Sequence, residues 1–305
     1  MQPIIEVEGI RKTYGETVAV DDVSFSVRPG EIFGIIGPNG AGKTTTVESV
    51  IGLRKPDQGR ISVLGLDPVR ERAALAERIG VQLQAAALAE RMKVWEALDL
   101  FSSLYTHTVP YEPLLEQWGL DDKRNAAFGN LSGGQKQRLF IALALVNDPE
   151  VVFLDELTSG LDPQARRATW ELVRTIRAQG KTVVLVTHFM DEAEHLCDRI
   201  AIVDRGKIIA LDTPAGLVKA LDQERRIVFD VEPECDLSPL QSLPQVREVM
   251  RTGRQAIVSG DTDGLLAAVV ARLEEEGIPF RNLRTEQADL EDVFLRLTGR
   301  AIRDS

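Results

Sequence analysis

The stretch "EIFGIIGPNGAGKTTTVESV", residues 31–50, decides the fold. A short apolar run predicts a buried strand, a glycine-rich turn follows, and "KTTTVESVIGL" then reads as a helix. Gly37 to Thr44 fits G-x-x-x-x-G-K-[ST] between a strand and a helix, the context this motif requires. The loop of Gly37, Pro38, Asn39, Gly40, Ala41, Gly42, Lys43, Thr44 and Thr45 is therefore expected to wrap phosphate with backbone N–H groups. The helix N-terminus adds partial positive charge, Lys43 neutralises the β and γ oxygens, and the Thr44 hydroxyl suits Mg2+. Without a ligand the same residues would be only a tight glycine turn.

A nucleotide triphosphatase also needs a carboxylate at the end of a buried strand. "VVFLDE", residues 151–156, supplies Asp155 after four apolar residues, placed to hold Mg2+. Glu156 follows. Neighbouring strand residues point to opposite sides, which leaves Glu156 free to polarise an attacking water as general base. "TVVLVTH" is a second run suited to a parallel sheet buried on both faces. Between them, Asp162 reads as an N-cap, Pro163 as the first helical residue and Gly180 as the position past the helix end.

A second pair of glycines lies in "LSGGQKQR", residues 131–138. Ser132 and Gln135 form a capping-box pattern, so a helix starts there. Gly133 and Gly134 leave its first N–H groups uncovered, which is either a plain cap or an anion site. One cradle already holds a γ-phosphate from one side. The second site sits on a helical insert between the cradle and the catalytic strand, which makes sense if it covers the nucleotide of another subunit.

The rest of the chain sets bounds. Its 305 residues carry a net charge of −11, which argues against a nucleic-acid surface built on clustered Lys and Arg. Cys197 and Cys235 have no second Cys or His at metal-ligand spacing and read as reduced thiols. The N-terminus lacks the apolar core of a signal peptide, and no run approaches the roughly 18 apolar residues of a membrane span. A cytoplasmic protein that reaches a membrane through a partner is expected. The first strands read as antiparallel, about Leu75–Val146 as largely helical, and "IAIVDRGKIIALD" as a closing hairpin. Texture changes near residues 216–226. This predicts a nucleotide-binding domain over 1–221 and a small α+β domain over 222–305. The last helix of that domain places Leu290, Val293, Phe294 and Leu297 on one face.

"GPNGAGKTT", "LSGGQKQR", "VVFLDE", "SGLD" and "VTH" occur in the order of the ATP-binding-cassette (ABC) ATPases, which the chain resembles over roughly residues 4–215. The resemblance implies an α/β P-loop nucleotide hydrolase core with an antiparallel β subdomain and a helical subdomain, using ATP and Mg2+. By the same resemblance Tyr14 stacks on adenine. Gln84 reaches Mg2+ and the attacking water, with Gln82 the alternative in register, and the loop after it touches a transporter. Asp162 links two sites across a homodimer, and His188 senses the γ-phosphate. Proline usually follows the catalytic glutamate in this family. Here Leu157 stands in its place, and loss of a fixed φ is expected to loosen the loop.

The C-terminal "ADLEDVFLRLTGR" resembles the ATPase subunits of bacterial drug and polysaccharide exporters of the daunorubicin-resistance type. That implies two copies of this chain working with a separate integral-membrane permease. The permease would dock near "RMKVWEALDLFSSLY", although Trp95, Leu98, Phe101 and Leu104 each read first as core residues. Two other classes share the cradle. A soluble ABC ATPase would differ in not co-purifying with membranes, and a phosphotransferase in not releasing phosphate without an acceptor.

Overall fold

A computed structural model describes residues 2–83, 87–220, 225–232, 234–260, 264–287 and 289–299. Contacts divide the chain into two compact units, one reaching to Pro214 and the other beginning at Ala215.

In the first unit, β1 (Ile5–Tyr14) and β2 (Thr17–Val27) form a hairpin. Strand β3 (Ile32–Ile36) then leads to α1 (Lys43–Val50), and β4 (Gln58–Val63) pairs antiparallel with β1. The order β2-β1-β4 closes a small antiparallel sheet. Next come α2 (Arg72–Ala76) and β5 (Ile79–Gln82), then three helices: α3 (Val94–Ser102), α4 (Tyr111–Gln117) and α5 (Gly133–Leu143). Strand β6 (Val151–Asp155), α6 (Pro163–Ala178), β7 (Thr182–Thr187) and α7 (Met190–Leu196) follow in strand–helix alternation. The hairpin of β8 (Arg199–Asp204) and β9 (Lys207–Asp212) ends the pattern.

The large sheet has the order β5-β6-β7-β3-β8-β9. It is parallel except for the β9 edge. Every residue of β3, β6 and β7 is buried, as runs without polar alternation require. The two sheets share one hydrophobic core around Ile5, Phe25, Phe33, Val47, Phe153 and Val184. The largely helical reading of Leu75–Val146 needs a correction, because β5 lies inside it as an edge strand of the large sheet. Four residues, one of them Gly80, carry too little periodicity to announce a strand. Gly80 is there for space, since a Cβ would lie 1.9 Å from the Ala144 carbonyl oxygen.

Helix α8 (Pro214–Lys219) runs across the division between the units. The second unit is α+β. Its strands are β10 (Arg225–Val231), β11 (Val246–Thr252), β12 (Gln255–Gly260) and β13 (Phe280–Gln287), in the antiparallel order β11-β12-β10-β13. Helices α9 (Ser238–Gln241), α10 (Leu265–Glu275) and α11 (Leu290–Thr298) complete it. Ile227, Phe229, Val258, Val269 and Leu273 form a separate core there. On α11, Leu290, Val293 and Phe294 are buried, but Leu297 is 48% exposed. Helical spacing put Leu297 on the apolar face, yet it lies in the last turn of α11 and is exposed.

Candidate functional site

The cradle follows β3 directly, and its shape depends on glycine. A Cβ on Gly37 would meet the Val203 carbonyl oxygen at 2.1 Å, and one on Gly42, at φ 102°, would meet that of Ala19 at 2.3 Å. Gly42 is also the N-cap of α1, with no side chain over the first N–H groups. The Lys43 ammonium is buried and donates to the carbonyls of Gly37 (2.7 Å) and Pro38 (3.0 Å). Burial lowers its pKa, while Glu156 and Asp155 oppose that shift. The loop carbonyls thus hold the ammonium that a phosphate would claim.

Register brings the other groups alongside. Asp155 pairs with Val186 and Ile36 with Thr187, so β6, β7 and β3 end together. Gly37, Glu156 and His188 are the next residues of those three strands. Ligands of open α/β sheets bind at this carboxyl edge. Asp155 is 2% exposed, and neither carboxylate oxygen has a hydrogen-bond partner in good geometry. Burial, then the Glu156 charge, pushes its pKa up to about 6, against the pull of Lys43 and a nearby Thr44 hydroxyl.

Glu156 lies just past the strand, so its direction is not set by strand alternation as the sequence suggested. It adopts φ 49°, a left-handed turn unusual for a non-glycine residue, and its N–H donates to Val186 O at 2.8 Å. Its Oε1 lies 3.2 Å from His188 Nδ1, and its Oε2 accepts from the Ser159 hydroxyl at 3.2 Å. Because a carboxylate only accepts, His188 Nδ1 is the donor. This pairing of Glu156 with His188 had no signal in the sequence, where 31 residues separate them.

Ser132 caps α5 with the expected box: its Oγ accepts from Gln135 N at 3.3 Å, and Gln135 Oε1 accepts from Ser132 N at 3.0 Å. A Cβ on Gly134 would meet open space, and one on Gly133 would lie 3.7 Å from Leu161. Asp162 caps α6, accepting from Gln164 N (3.0 Å) and Ala165 N (2.9 Å), with Pro163 at the first turn. Tyr14 ends β1 and is 41% exposed, with the Arg54 guanidinium 5.5 Å from its ring centre. Gln84 lies outside the described residues. Gln82 is buried at the end of β5, with Nε2 donating to Leu83 O at 3.0 Å.

The Leu157 side chain, in the position where proline is usual in this family, is buried. In the permease-docking stretch Leu98 is buried and Trp95 and Phe101 are half-buried, but Leu104 is 66% exposed and is no core residue. It lies beyond the end of α3, outside the helical repeat that suggested burial.

The residues fit a hard cation. Asp155 offers two unpartnered oxygens near the Thr44 hydroxyl. No group of three His, Cys, Asp or Glu among the described residues could cage a metal alone. Mg2+ is commonly bound this way, through one or two carboxylates plus substrate phosphates and water.

A glycine cradle, a buried strand-end aspartate and a following glutamate on a parallel sheet define a P-loop nucleotide hydrolase. Residues 20–159 match the family described as "ABC transporter". The chain is 41% identical to the Nod factor export ATP-binding protein I of Burkholderia orbicola, covering 98% of each chain. It is 40% identical to the protein of that name in Sinorhizobium fredii, over 98% of this chain and 87% of the relative. Among solved structures it is similar to an ATP-binding subunit of an ABC transporter (TM-score 0.65, 30% identity, 72% of this chain and 93% of the other). A bacterial ABC transporter cassette solved as a dimer is similar at TM-score 0.61 and 28% identity, over 68% of this chain and 98% of the other. The chain belongs to the ABC transporter ATP-binding family. It is an ATPase, the ATP-binding subunit of such a transporter.

Proposed function

We propose that the chain drives export through a separate membrane permease, with two copies closing on two ATP molecules. The names of its relatives support the direction. Among the described residues no helix is long and apolar enough to cross a membrane, which fits a subunit that reaches the bilayer through a partner. The single observation carrying the chemistry is the convergence of Lys43, Asp155, Glu156 and His188 where β3, β6 and β7 end.

In this reading ATP stacks its base on Tyr14 and lays its phosphates along residues 37–45. Lys43 exchanges the carbonyls of Gly37 and Pro38 for phosphate oxygens, trading neutral acceptors for charged ones. Asp155, Thr44 and Gln84 would hold Mg2+, which would neutralise charge on the β- and γ-phosphates. Glu156 takes a proton from the attacking water. Its oxygens keep lone pairs for this while accepting from His188 and Ser159. His188 donates Nδ1–H to Glu156, so a second donation, to the γ-phosphate, requires the imidazolium. Ser132, Gly133, Gly134 and Gln135 of the partner copy close over the γ-phosphate with the N-terminus of α5. Asp162 passes the state of one site to the other. Residues 222–305 form an accessory domain without a phosphate contact.

Glu156→Gln tests the chemistry. Removing a general base is worth roughly 10²–10⁴ in rate, and glutamine keeps the shape. The variant should bind ATP and accumulate as a closed dimer by size exclusion. Near-normal phosphate release would overturn the assignment.

A further inference from the structure

One buried acidic side chain has no place in the chemistry above. Glu192, on α7, is 0% exposed. Its Oε1 accepts from Trp170 Nε1 of α6 at 3.2 Å. Its Oε2 is buried without a hydrogen-bond partner, and so is the Thr158 hydroxyl. Burial pushes the Glu192 carboxyl above the ordinary carboxylate range, opposed by the nearby Thr187 and Thr158 hydroxyls and Trp170, while Asp191 adds to the rise. A carboxyl group in such a place costs stability unless its bonds are made, and an apolar side chain would pack there at lower cost.

Its neighbours belong to three segments that all lead to the site. Thr158 lies between Glu156 and Asp162. Thr187 immediately precedes His188, and its hydroxyl accepts from Phe189 N at 3.0 Å. Trp170 sits two turns into the helix that Asp162 caps. Glu192 Oε2 and Thr158 Oγ1 are complementary as acceptor and donor, and the hydroxyl is near enough to oppose the rise in the carboxyl's pKa, so a hydrogen bond between them would complete both. That bond would fix the segment where Leu157 replaces the family's proline.

We propose that Glu192 is a positioning residue for hydrolysis, its carboxyl group tying the 157–162 loop and α6 to the strand end that carries His188. The proposal rests on the roles given above to Glu156 and His188. Because Glu192 touches no reacting atom, its loss should misplace Glu156 relative to His188 while leaving the cradle as it is.

The test compares wild type, Glu156→Gln, Glu192→Gln, Glu192→Leu and Thr158→Val by kcat, KM for ATP, affinity for a fluorescent ATP analogue, and thermal melting. Glutamine accepts from Trp170 and donates to Thr158, so Glu192→Gln should keep kcat within about three-fold. Small displacements of reacting groups cost up to about 10²-fold, so Glu192→Leu and Thr158→Val should lower kcat roughly ten-fold or more, with KM and analogue affinity nearly unchanged. If Glu192→Leu fails to fold, Thr158→Val decides alone, because it removes one hydroxyl and keeps the shape. Wild-type kcat in folded Thr158→Val overturns the proposal. So does a parallel loss of analogue affinity, which indicates general packing, or a Glu192→Gln as slow as Glu192→Leu. Normal turnover in Glu156→Gln would instead overturn the reading of the site itself.

Discussion

Asp155→Asn separates what a buried carboxylate costs the fold from what it contributes to the site. Asp155 ionises near 3.8 in an unfolded chain but at about 6 in the native one, chiefly because it is buried. Between those values the native state binds more protons than the unfolded state, so stability falls as pH rises through that window. The penalty is absent below the unfolded value and complete above about 6. Ionising at about 6 instead of 3.8 makes the penalty about 3 kcal/mol at neutral pH. Asparagine has nearly the same shape and no charge, so the variant escapes the penalty. In nucleotide-free protein with chelator it should be more stable than wild type by about 1–3 kcal/mol near pH 7.5 and by roughly half as much near pH 5. That is a melting shift of roughly 2–10 °C at the higher pH. Trp95, Trp118 and Trp170 all lie in the first unit, so tryptophan fluorescence reports the unit that contains Asp155. A gap that does not change with pH, or a variant less stable than wild type near pH 7.5, would refute the reasoning. The same variant should lose ATP turnover, so stability and activity move in opposite directions.

Two more outcomes are expected. In a mixed dimer of one Lys43→Ala chain and one Ser132→Arg chain, both lesions fall in one shared site and the other site stays intact, so ATP-dependent cross-linking between cysteines placed near Lys43 and Ser132 should return; no more cross-linking than in the parent homodimers would sink the shared-site model. A chain ending at Leu221 should fold and bind ATP with near-normal affinity, and a folded product unable to bind would show that the second unit contributes to the cradle.

What was legible in the sequence is what chemistry ties to adjacent residues. A phosphate cradle needs its glycines, lysine and threonine in consecutive positions, and a cap needs its serine or aspartate beside the turn it closes. Hence Gly37–Thr44, the Ser132 box and the Asp162 cap could be read directly, and all-apolar runs marked β6 and β7 as interior strands. Where local pattern is short or ambiguous the reading failed. β5 has four residues, and Leu104 and Leu297 are apolar side chains beyond or near a helix end, where the repeat says nothing about cover.

The contacts that organise the site are a different case, because they join residues distant in the chain. His188 meets Glu156 only because β6 and β7 are neighbours that end in register, and Glu192 meets Trp170 only because α7 packs on α6. No spacing rule links such pairs. Their cost does mark them once the fold is known: a left-handed glutamate at the edge of the sheet and an acid with no solvent to ionise into are both unfavourable in isolation. Asp155 carries the same signature, two buried oxygens with no partner. Asp155 and Glu156 lie at the sheet edge that carries the cradle, Glu192 lies behind it against α6, and packing alone would select none of the three. The stability forfeited at Asp155 and Glu192 is explained if each is completed by something beyond hydrophobic burial. For Asp155 that is a cation arriving with the nucleotide. For Glu192 it is the hydroxyl of Thr158, which makes the loop between Glu156 and Asp162 part of the catalytic apparatus.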